Sequence, residues 1–322
     1  MSRKAQTDMS HTDSAVSIRG VTKTFTQWQR DNTGWGLIRN LIKPEKRIVT
    51  ALDNVSFEVA KGEFVAYAGP NGAGKSTTMK LLSGMLLPTS GEITVLAMSP
   101  KKQRRLIMQR LGVLFGNRTE LWWDHPIIQS FEWKKVVWNI PDAVYNKNLE
   151  MVTELLDLGG LLKTFARELS LGQRMRADLA MLLLHSPEVI LLDEPTLGLD
   201  VEAKRRMIAF LCRLNEEEGT TIIVTSHDMD DLEEMARRIL LISNGAIAFD
   251  GGFAKLRSEL DCKKLAVVKF ADGSQREISY QDTNKLLREL SDMKGIKDVA
   301  FKQTSLEEGL ANLFEKWKNE AS

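Results

Sequence analysis

A glycine-rich stretch running from Gly69 to Ser76, GPNGAGKS, constrains this chain more than any other feature. It follows the apolar run 63–68 and precedes 77–83, an order that predicts a buried strand, a glycine loop and a helix. Glycines in such a loop let the backbone turn so that successive N–H groups reach the oxygens of a phosphate. The positive end of the following helix attracts the same anion. The stretch therefore predicts a phosphate-binding loop within an α/β domain.

Two side chains of this loop have predicted roles in binding a nucleotide. Lys75 supplies a mobile cation for the terminal phosphates, and the hydroxyl of Ser76 is suited to bind Mg²⁺. A glycine turn without any nucleotide role is the alternative, but GxxxxGK[ST] between a strand and a helix is one of the stronger short signals. The residues predicted to bind the nucleotide here are Gly69, Asn71, Gly72, Ala73, Gly74, Lys75, Ser76 and Thr77.

A second apolar run, 189–192, ends in the acidic pair Asp193-Glu194. An aspartate at the carboxyl end of a buried strand can hold Mg²⁺ through water, opposite Ser76. Glu194 is then suited to polarise a water molecule for attack on the γ-phosphate. Acidic pairs also cap strands for structural reasons alone, but the phosphate loop upstream favours the catalytic interpretation.

Composition limits the class of protein and its partners. The 322 residues are 43% hydrophobic and 27% charged, as in soluble globular proteins. A net charge of +1 gives no electrostatic reason to expect nucleic acid as a partner. The two cysteines provide no disulfide framework and suit a reducing cytosol. Because no apolar run approaches the ~18 residues that span a bilayer, we expect another protein to mediate any action at a membrane.

The order of sequence patterns predicts two domains. Residues 1–15 are polar and predicted to be a disordered tail, and strand patterns at 16–26 and 49–59 flank an insertion with a short amphipathic helix pattern at 37–42. Helical patterns dominate 117–186. Beyond them the sequence predicts a strand at 220–225, a helix at 229–238 and a hairpin across Asn244-Gly245, and a second hairpin signal at Asp272-Gly273 marks a further unit. We therefore predict a main domain over 16–258, with a helical subdomain at about 117–186, and an accessory domain over 261–322.

The segment Leu169-Ser-Leu-Gly-Gln173 predicts a helix start, with Ser170 as its N-cap and Gly172 permitting close backbone approach. Together with the two preceding motifs, in the same order and at similar spacing, it resembles the LSGGQ signature of ABC transporter ATPases. Leu171 stands where that signature has its first glycine. The resemblance implies a P-loop NTPase fold of the α/β class, with a mixed sheet core, antiparallel N-terminal strands, an inserted helical subdomain and a small α+β C-terminal domain.

The resemblance also implies a site shared between two copies that sandwich ATP. Ser170, Gly172 and Gln173 of one copy would approach the γ-phosphate bound to the other. Leu197-Gly-Leu-Asp200 is similar to the D-loop of the family, in which Asp200 faces the partner. His227 matches the switch histidine that contacts the γ-phosphate.

Two further positions depart from the family pattern or are ambiguous. Asn117 stands at the place of the Q-loop glutamine, and its shorter side chain still offers a carbonyl to Mg²⁺ or the attacking water, with less reach. Phe25 occupies the place of the aromatic ring that stacks on adenine. Trp28 and Trp35 in the insertion are alternatives for that stacking role, and Phe25 can equally be a core residue.

The run Leu121-Trp-Trp-Asp124 follows the Q-loop position, where this family transmits motion to its membrane subunits. Its two tryptophans can face a permease helix or fill the helical subdomain. With LSLGQ and the insertion, the run is similar to bacterial exporters of drugs, antibiotics or complex glycoconjugates. The resemblance implies a homodimeric, Mg²⁺-dependent ATP-hydrolysing subunit, cytoplasmic and peripheral on the inner face of the cell membrane, that powers export through a separate membrane permease. The alternative is a soluble ABC-type ATPase acting in regulation, translation or DNA maintenance.

Overall fold

The computed structural model describes residues 14–29, 45–115, 119–260, 264–280, 282–303, 306–310 and 313–314. The chain divides into two compact units. One comprises residues up to 227 together with 231–250, and the other comprises 228–230 together with 251–322.

The elements alternate between strands and helices over most of the chain. As far as residue 252 they are β1 (Ser14–Gln29), β2 (Glu45–Ala60), β3 (Phe64–Ala68), α1 (Lys75–Leu82), β4 (Ser90–Val95), α2 (Pro100–Met108), β5 (Leu111–Phe115), α3 (Ile127–Val137), α4 (Asp142–Leu155), α5 (Leu171–Leu183), β6 (Val189–Asp193), α6 (Val201–Glu218), β7 (Thr221–Thr225), α7 (Met229–Met235), β8 (Arg238–Ser243) and β9 (Ala246–Gly252). Beyond it lie α8 (Phe253–Glu259), β10 (Lys264–Phe270), β11 (Gln275–Tyr280), α9 (Thr283–Ser291) and β12 (Ile296–Gln303).

A six-stranded sheet in the order β5-β6-β7-β3-β8-β9 forms the centre of the first unit. The first five strands are parallel, as expected for short apolar runs separated by helices. β8 and β9 are joined by Asn244-Gly245, whose φ angles of 48° and 79° suit a two-residue hairpin turn. Phe115, Asp193 and Thr225, the last residues of β5, β6 and β7, are paired in register and therefore lie together at the carboxyl ends of these strands. Ligands of open α/β sheets bind at the carboxyl ends of the strands.

An antiparallel sheet in the order β2-β1-β4 packs on α1 and the central sheet through a shared core. Its buried side chains include Ile18 and Leu52, which belong to one cluster with Tyr67 and Met79. Two residues of the predicted tail 1–15 are structured: Ser14 opens β1, and the carbonyl of the buried Ala15 accepts a hydrogen bond from the N–H of Leu96 at 2.7 Å. The α/β class with antiparallel N-terminal strands is confirmed.

Helices α3, α4 and α5 lie between β5 and β6, within the range predicted to be helical. The helix predicted from Met229 to Arg238 is shorter than expected, since α7 ends at Met235 and Arg238 opens β8. The guanidinium of Arg238 forms ion pairs with Glu63 at 3.0 Å and with Asp250 at 2.6 Å. Both partners are within reach because Arg238 is the first residue of β8.

The second unit contains a three-stranded antiparallel sheet in the order β11-β10-β12. Leu286 and Leu290 of α9 pack on Ala266, Val268 and Ile278 of this sheet, giving an α+β arrangement. The sequence patterns did not predict α8. This helix belongs to the second compact unit, whereas the predicted end of the main domain at residue 258 assigns nearly all of it to the main domain. Within the described ranges, no helix is both long and apolar enough to cross a bilayer.

Candidate functional site

The loop between β3 and α1 is shaped by close approach of neighbouring backbone. A Cβ on Gly69 would lie 2.1 Å from the carbonyl oxygen of Ile242. At Gly74, φ is 115° and a Cβ would lie 2.8 Å from the carbonyl oxygen of Ala51. Any side chain at these two positions would therefore displace the loop from the sheet. The glycines hold the loop close to the sheet, with its N–H groups grouped at the start of α1.

The buried side chain of Lys75 reaches back over the loop. Its Nζ donates hydrogen bonds to the carbonyl oxygens of Gly69, at 2.6 Å, and Pro70, at 3.3 Å. Burial lowers the pKa of Lys75, while the negative charges of Glu194 and Asp193 oppose that shift. The arrangement holds a cation where the terminal phosphates of a nucleotide would lie.

Asp193, at the end of β6, joins α1 to β7. One of its carboxylate oxygens accepts a hydrogen bond from the hydroxyl of Ser76 at 2.8 Å, and the other accepts one from the hydroxyl of Thr225 at 2.7 Å. Hydroxyl and carboxylate oxygens are the hard ligands that Mg²⁺ prefers, and Mg²⁺ usually takes only one or two from the protein. Among the described residues no group of three His, Cys, Asp or Glu side chains could hold a metal alone. The donor set fits Mg²⁺ that is shared with phosphates and water.

The side chains of Glu194 and His227 contact each other in this site. The distance from His227 Nε2 to Glu194 Oε1 is 3.2 Å. Glu194 has a φ of 60°, which is uncommon for a residue other than glycine, and its N–H donates to the hydroxyl and carbonyl oxygens of Thr225, both at 3.1 Å. Burial raises the pKa of Glu194, and the charges of His227 and Lys75 oppose that shift. The carboxylate is thus suited to accept a proton from, or orient, a water molecule.

These side chains border one cavity of about 520 Å³. It is lined by Pro70, Asn71, Gly72, Gly74, Lys75, Ser76, Thr77, Lys80, Met85, Phe115, Asp193, Glu194, Leu197 and His227. The structure therefore brings most of the predicted phosphate-loop residues together with the acidic pair and the histidine. Lys80, Met85 and Phe115 were not predicted, although Lys80 follows Ser76 by four residues on α1 and therefore shares a helix face with it, a spacing that could have suggested it.

Other predicted residues lie outside that cavity lining within the protomer. Ser170 caps α5: its hydroxyl accepts from the N–H of Gln173 at 3.2 Å, and Gln173 Oε1 accepts from the N–H of Ser170 at 2.9 Å. Asp200 caps α6 through the N–H of Ala203 at 2.8 Å. Each cap satisfies one backbone N–H at the start of its helix, where the positive end of the helix dipole lies.

The remaining predicted residues are distributed as follows. Gly172 and Phe25 are absent from the cavity lining, and the Lys23 Nζ lies 5.0 Å from the Phe25 ring centroid. Ala73 is buried, and its N–H donates to Pro70 at 3.2 Å. Asn117, Trp35 and the predicted helix 37–42 lie outside the described residues.

Leu171, which departs from the family signature, contacts the D-loop region of its own protomer. Its side chain is 42% exposed. A Cβ on Gly198, where φ is 74°, would lie 2.5 Å from Leu171 Cδ2. A glycine at 171 could not make this contact. The signature segment and residues 197–200 therefore pack on each other in this chain.

A glycine loop between a buried strand and a helix, with an aspartate at the end of another parallel strand of the same sheet bonded to Ser76, defines a P-loop nucleotide-binding protein. Residues 52–197 match the sequence model of the family described as ABC transporter. An ABC transporter ATP-binding protein of Clostridium acetobutylicum is 31% identical over 204 residues, which cover 63% of this chain and 73% of that protein. The chain belongs to the ATP-binding proteins of ABC transporters and is an ATPase of that class.

Two further similarities describe the range of the family. The methionine import ATP-binding protein MetN of Carboxydothermus hydrogenoformans is 31% identical over 221 residues, covering 67% of this chain and 65% of that protein. The dimeric ATP-binding cassette MJ0796, solved in a post-hydrolysis state with ADP and Pi, superposes with a TM-score of 0.62 at 24% identity, covering 74% of this chain and 98% of that one. The second similarity supports the fold. Domains of this family bind ATP, pair with membrane permeases and form dimers.

Proposed function

We propose that this chain hydrolyses Mg²⁺-ATP as a homodimer and thereby powers export through a separate membrane permease. The observation that carries the proposal is the grouping of Lys75, Ser76, Asp193, Glu194 and His227 around one cavity. A cation, a hydroxyl-carboxylate pair and a buried carboxylate at one strand edge are the groups that phosphoryl transfer to water requires.

Each residue has a role that its contacts allow. Lys75 and the start of α1 neutralise the transferring phosphoryl group, and Ser76 and Asp193 would hold Mg²⁺, which supplies further positive charge to the phosphates. Glu194 orients the attacking water, and His227, at 3.2 Å from it, fixes the orientation of that carboxylate and contacts the γ-phosphate. Asn117 would add a ligand to the metal or the water.

The homodimer is proposed because the signature residues lie outside the cavity of their own protomer. Ser170, Gly172, Gln173 and Asp200 would meet the nucleotide of the second copy, so that ATP binding closes the dimer and hydrolysis opens it. The exposed Leu171, Leu197 and Val201 lie near these residues in sequence and suit an apolar contact at such an interface.

The permease contact is proposed at Trp122 and Trp123, which are 38% and 49% exposed. Export is proposed because LWWD, LSLGQ and the N-terminal insertion together are similar to exporters. The same resemblance is the reason for proposing that the chain works at the cytoplasmic face of the membrane. A methionine import protein is also among the relatives, so direction needs its own test. If Lys75→Ala disables an exporter, cargo accumulates in the cells; if it disables an importer, cargo remains in the medium.

A soluble ATPase in regulation, translation or DNA maintenance is not favoured, because these relatives are named as transporter subunits.

The ATPase and the dimer are tested with two substitutions. Lys75→Ala should lower ATP turnover by at least about 100-fold, because the phosphate loop loses its cation. Glu194→Gln should slow hydrolysis similarly but trap an ATP-bound dimer, visible by light scattering after size exclusion. Glu217→Gln, a matched change at an exposed position near the other end of α6, should leave both measurements unchanged. A Glu194→Gln protein that stays monomeric at saturating Mg²⁺-ATP would contradict the shared site.

A further inference from the structure

A buried carboxylate on α5, Asp178, is not used by the nucleotide chemistry. It is 8% exposed, and its Oδ1 accepts hydrogen bonds from the Thr119 hydroxyl at 2.8 Å and from the N–H of Glu120 at 3.2 Å. The Thr119 hydroxyl in turn accepts from the N–H of Leu121 at 3.1 Å. Asp178 thus holds the beginning of residues 119–125, here named the tryptophan segment.

The same segment is held at its other end by residues just before and within α5. The backbone N–H of Arg167 donates to the carbonyl of Trp123 at 3.1 Å, and its guanidinium pairs with Asp124 at 2.6 Å. The Arg174 guanidinium lies 5.7 Å from the Trp123 ring centroid. The N–H of Ala166 donates to the carbonyl of residue 125 at 3.1 Å. The tryptophan segment is therefore attached along residues 166–178, on both sides of the signature motif.

A buried lysine on α3 also contacts the tryptophan segment. Lys134, on α3, is 4% exposed, and its Nζ lies 3.4 Å from Glu120 Oε2 and 4.9 Å from the Trp138 ring centroid. Burial raises the pKa of Asp178 to about 6 although both of its hydrogen bonds lower it. Oδ1 of Asp178 is the acceptor of both hydrogen bonds, and these bonds offset part of the cost of burying the carboxylate.

We propose that Asp178 is a positioning residue that locks the tryptophan segment to the signature helix. The serine that meets the partner's ATP and the tryptophans that meet the permease then move as one body. The inference rests on the proposed function, since both contacts belong to it. The carboxylate acts as a short link because an aspartate fixed on a helix has only two rotatable side-chain bonds. The segment begins four residues beyond Phe115, which lines the nucleotide cavity.

Three variants separate positioning from simple stabilisation. Asp178→Ala removes the acceptor, whereas Asp178→Asn keeps an acceptor oxygen and removes only the charge. The matched control is Asn148→Ala on α4. Asn148 is 6% exposed, and its Nδ2 donates to the carbonyl of Leu184 at 3.0 Å and to the Ser186 hydroxyl at 2.8 Å. It resembles Asp178 in burial and in having two hydrogen-bond partners, but none of those bonds reaches the tryptophan segment.

The full-length protein is used for hydrogen exchange and ATP turnover. Asp178→Ala should speed exchange of the Glu120 and Leu121 amides and lower kcat, each about tenfold, with little change in the ATP concentration for half-maximal turnover. Asp178→Asn should restore both, and Asn148→Ala should change neither. If Asp178→Ala does not fold, Thr119→Val tests the same link from the segment side and should reproduce the loss of kcat.

Two results would overturn the inference while the proposed function stands: equal kcat in Asp178→Ala and Asn148→Ala, or an Asp178→Asn protein no better than Asp178→Ala. A wild-type protein without ATP turnover would instead be a failure of the proposed function. The inference would then fall with it.

Discussion

Thr225 forms hydrogen bonds to both residues of the acidic pair, to the carboxylate of Asp193 and to the backbone N–H of Glu194. It is fully buried, and its hydroxyl donates to Asp193 while accepting the N–H of Glu194. Because one oxygen of Asp193 is occupied by Thr225, the other faces Ser76, where Mg²⁺ would bind. Thr225 thus positions the carboxylate of the proposed metal ligand and the backbone of the proposed water-orienting residue, and it does not line the cavity itself.

The isosteric change Thr225→Val tests this role. It removes the hydroxyl, so Asp193 loses a hydrogen bond and can rotate, and stability should fall by about 1–2 kcal/mol. The Mg²⁺ concentration for half-maximal ATP turnover should rise, whereas Thr225→Ser should remain close to wild type. An unchanged Mg²⁺ dependence in the valine variant, measured by titration at fixed ATP, would show that Asp193 does not need this support.

The sequence predicted the residues that carry recognisable chemistry but not those that hold them. Lys75, Ser76, Asp193 and Glu194 could be named because phosphate loops and acidic strand ends have local patterns. Thr225 was predicted only as the end of an apolar strand. Its partner is 32 residues away, and their meeting depends on the register that pairs Asp193 with Thr225 across β6 and β7. Local periodicity does not contain that register.

The start of α5 combines two requirements in one side chain. Ser170 caps the helix through a reciprocal pair with Gln173, and it is also the residue proposed to meet the partner's nucleotide. Stability and catalysis would therefore fall together on simple truncation. Elements with clear caps or turns, such as α5 and the β8–β9 hairpin, were predicted well, whereas α7 was predicted too long because its end depends on the ion pairs of Arg238.

Ser170→Asp separates the two requirements. Aspartate is as good an N-cap as serine, so the free energy of unfolding should stay within about 0.5 kcal/mol of wild type. Its negative charge would repel a γ-phosphate, so ATP turnover and dimer formation should be strongly reduced. Ser170→Ala should instead cost about 1 kcal/mol. Thermal unfolding and ATP turnover are measured on both; an active, equally stable aspartate variant would argue that this serine does not approach phosphate.

At the scale of the whole molecule, the chain separates nucleotide chemistry from partner contact. The nucleotide cavity lies at the edge formed by β3, β6 and β7, while the exposed tryptophans belong to the helical part that ends in the signature helix. The hairpin signal near Asp272-Gly273 was the pattern that indicated a further unit, whereas α8 was missed because its sequence has no strong start or stop signal.

If the tryptophan segment meets the permease, a photocrosslinking residue at 122 or 123 should form an adduct with an integral membrane protein in the source cells. Residue 144 is the matched control, since Val144 is 37% exposed, close to the 38% of Trp122, and also lies in the helical part. The adduct should require ultraviolet light and should change in yield when Glu194→Gln traps the ATP-bound state, because the proposed rigid attachment moves this segment with the dimer. Mass spectrometry identifies the partner. Adducts from residue 144 but from neither tryptophan position would place the permease contact elsewhere on this chain.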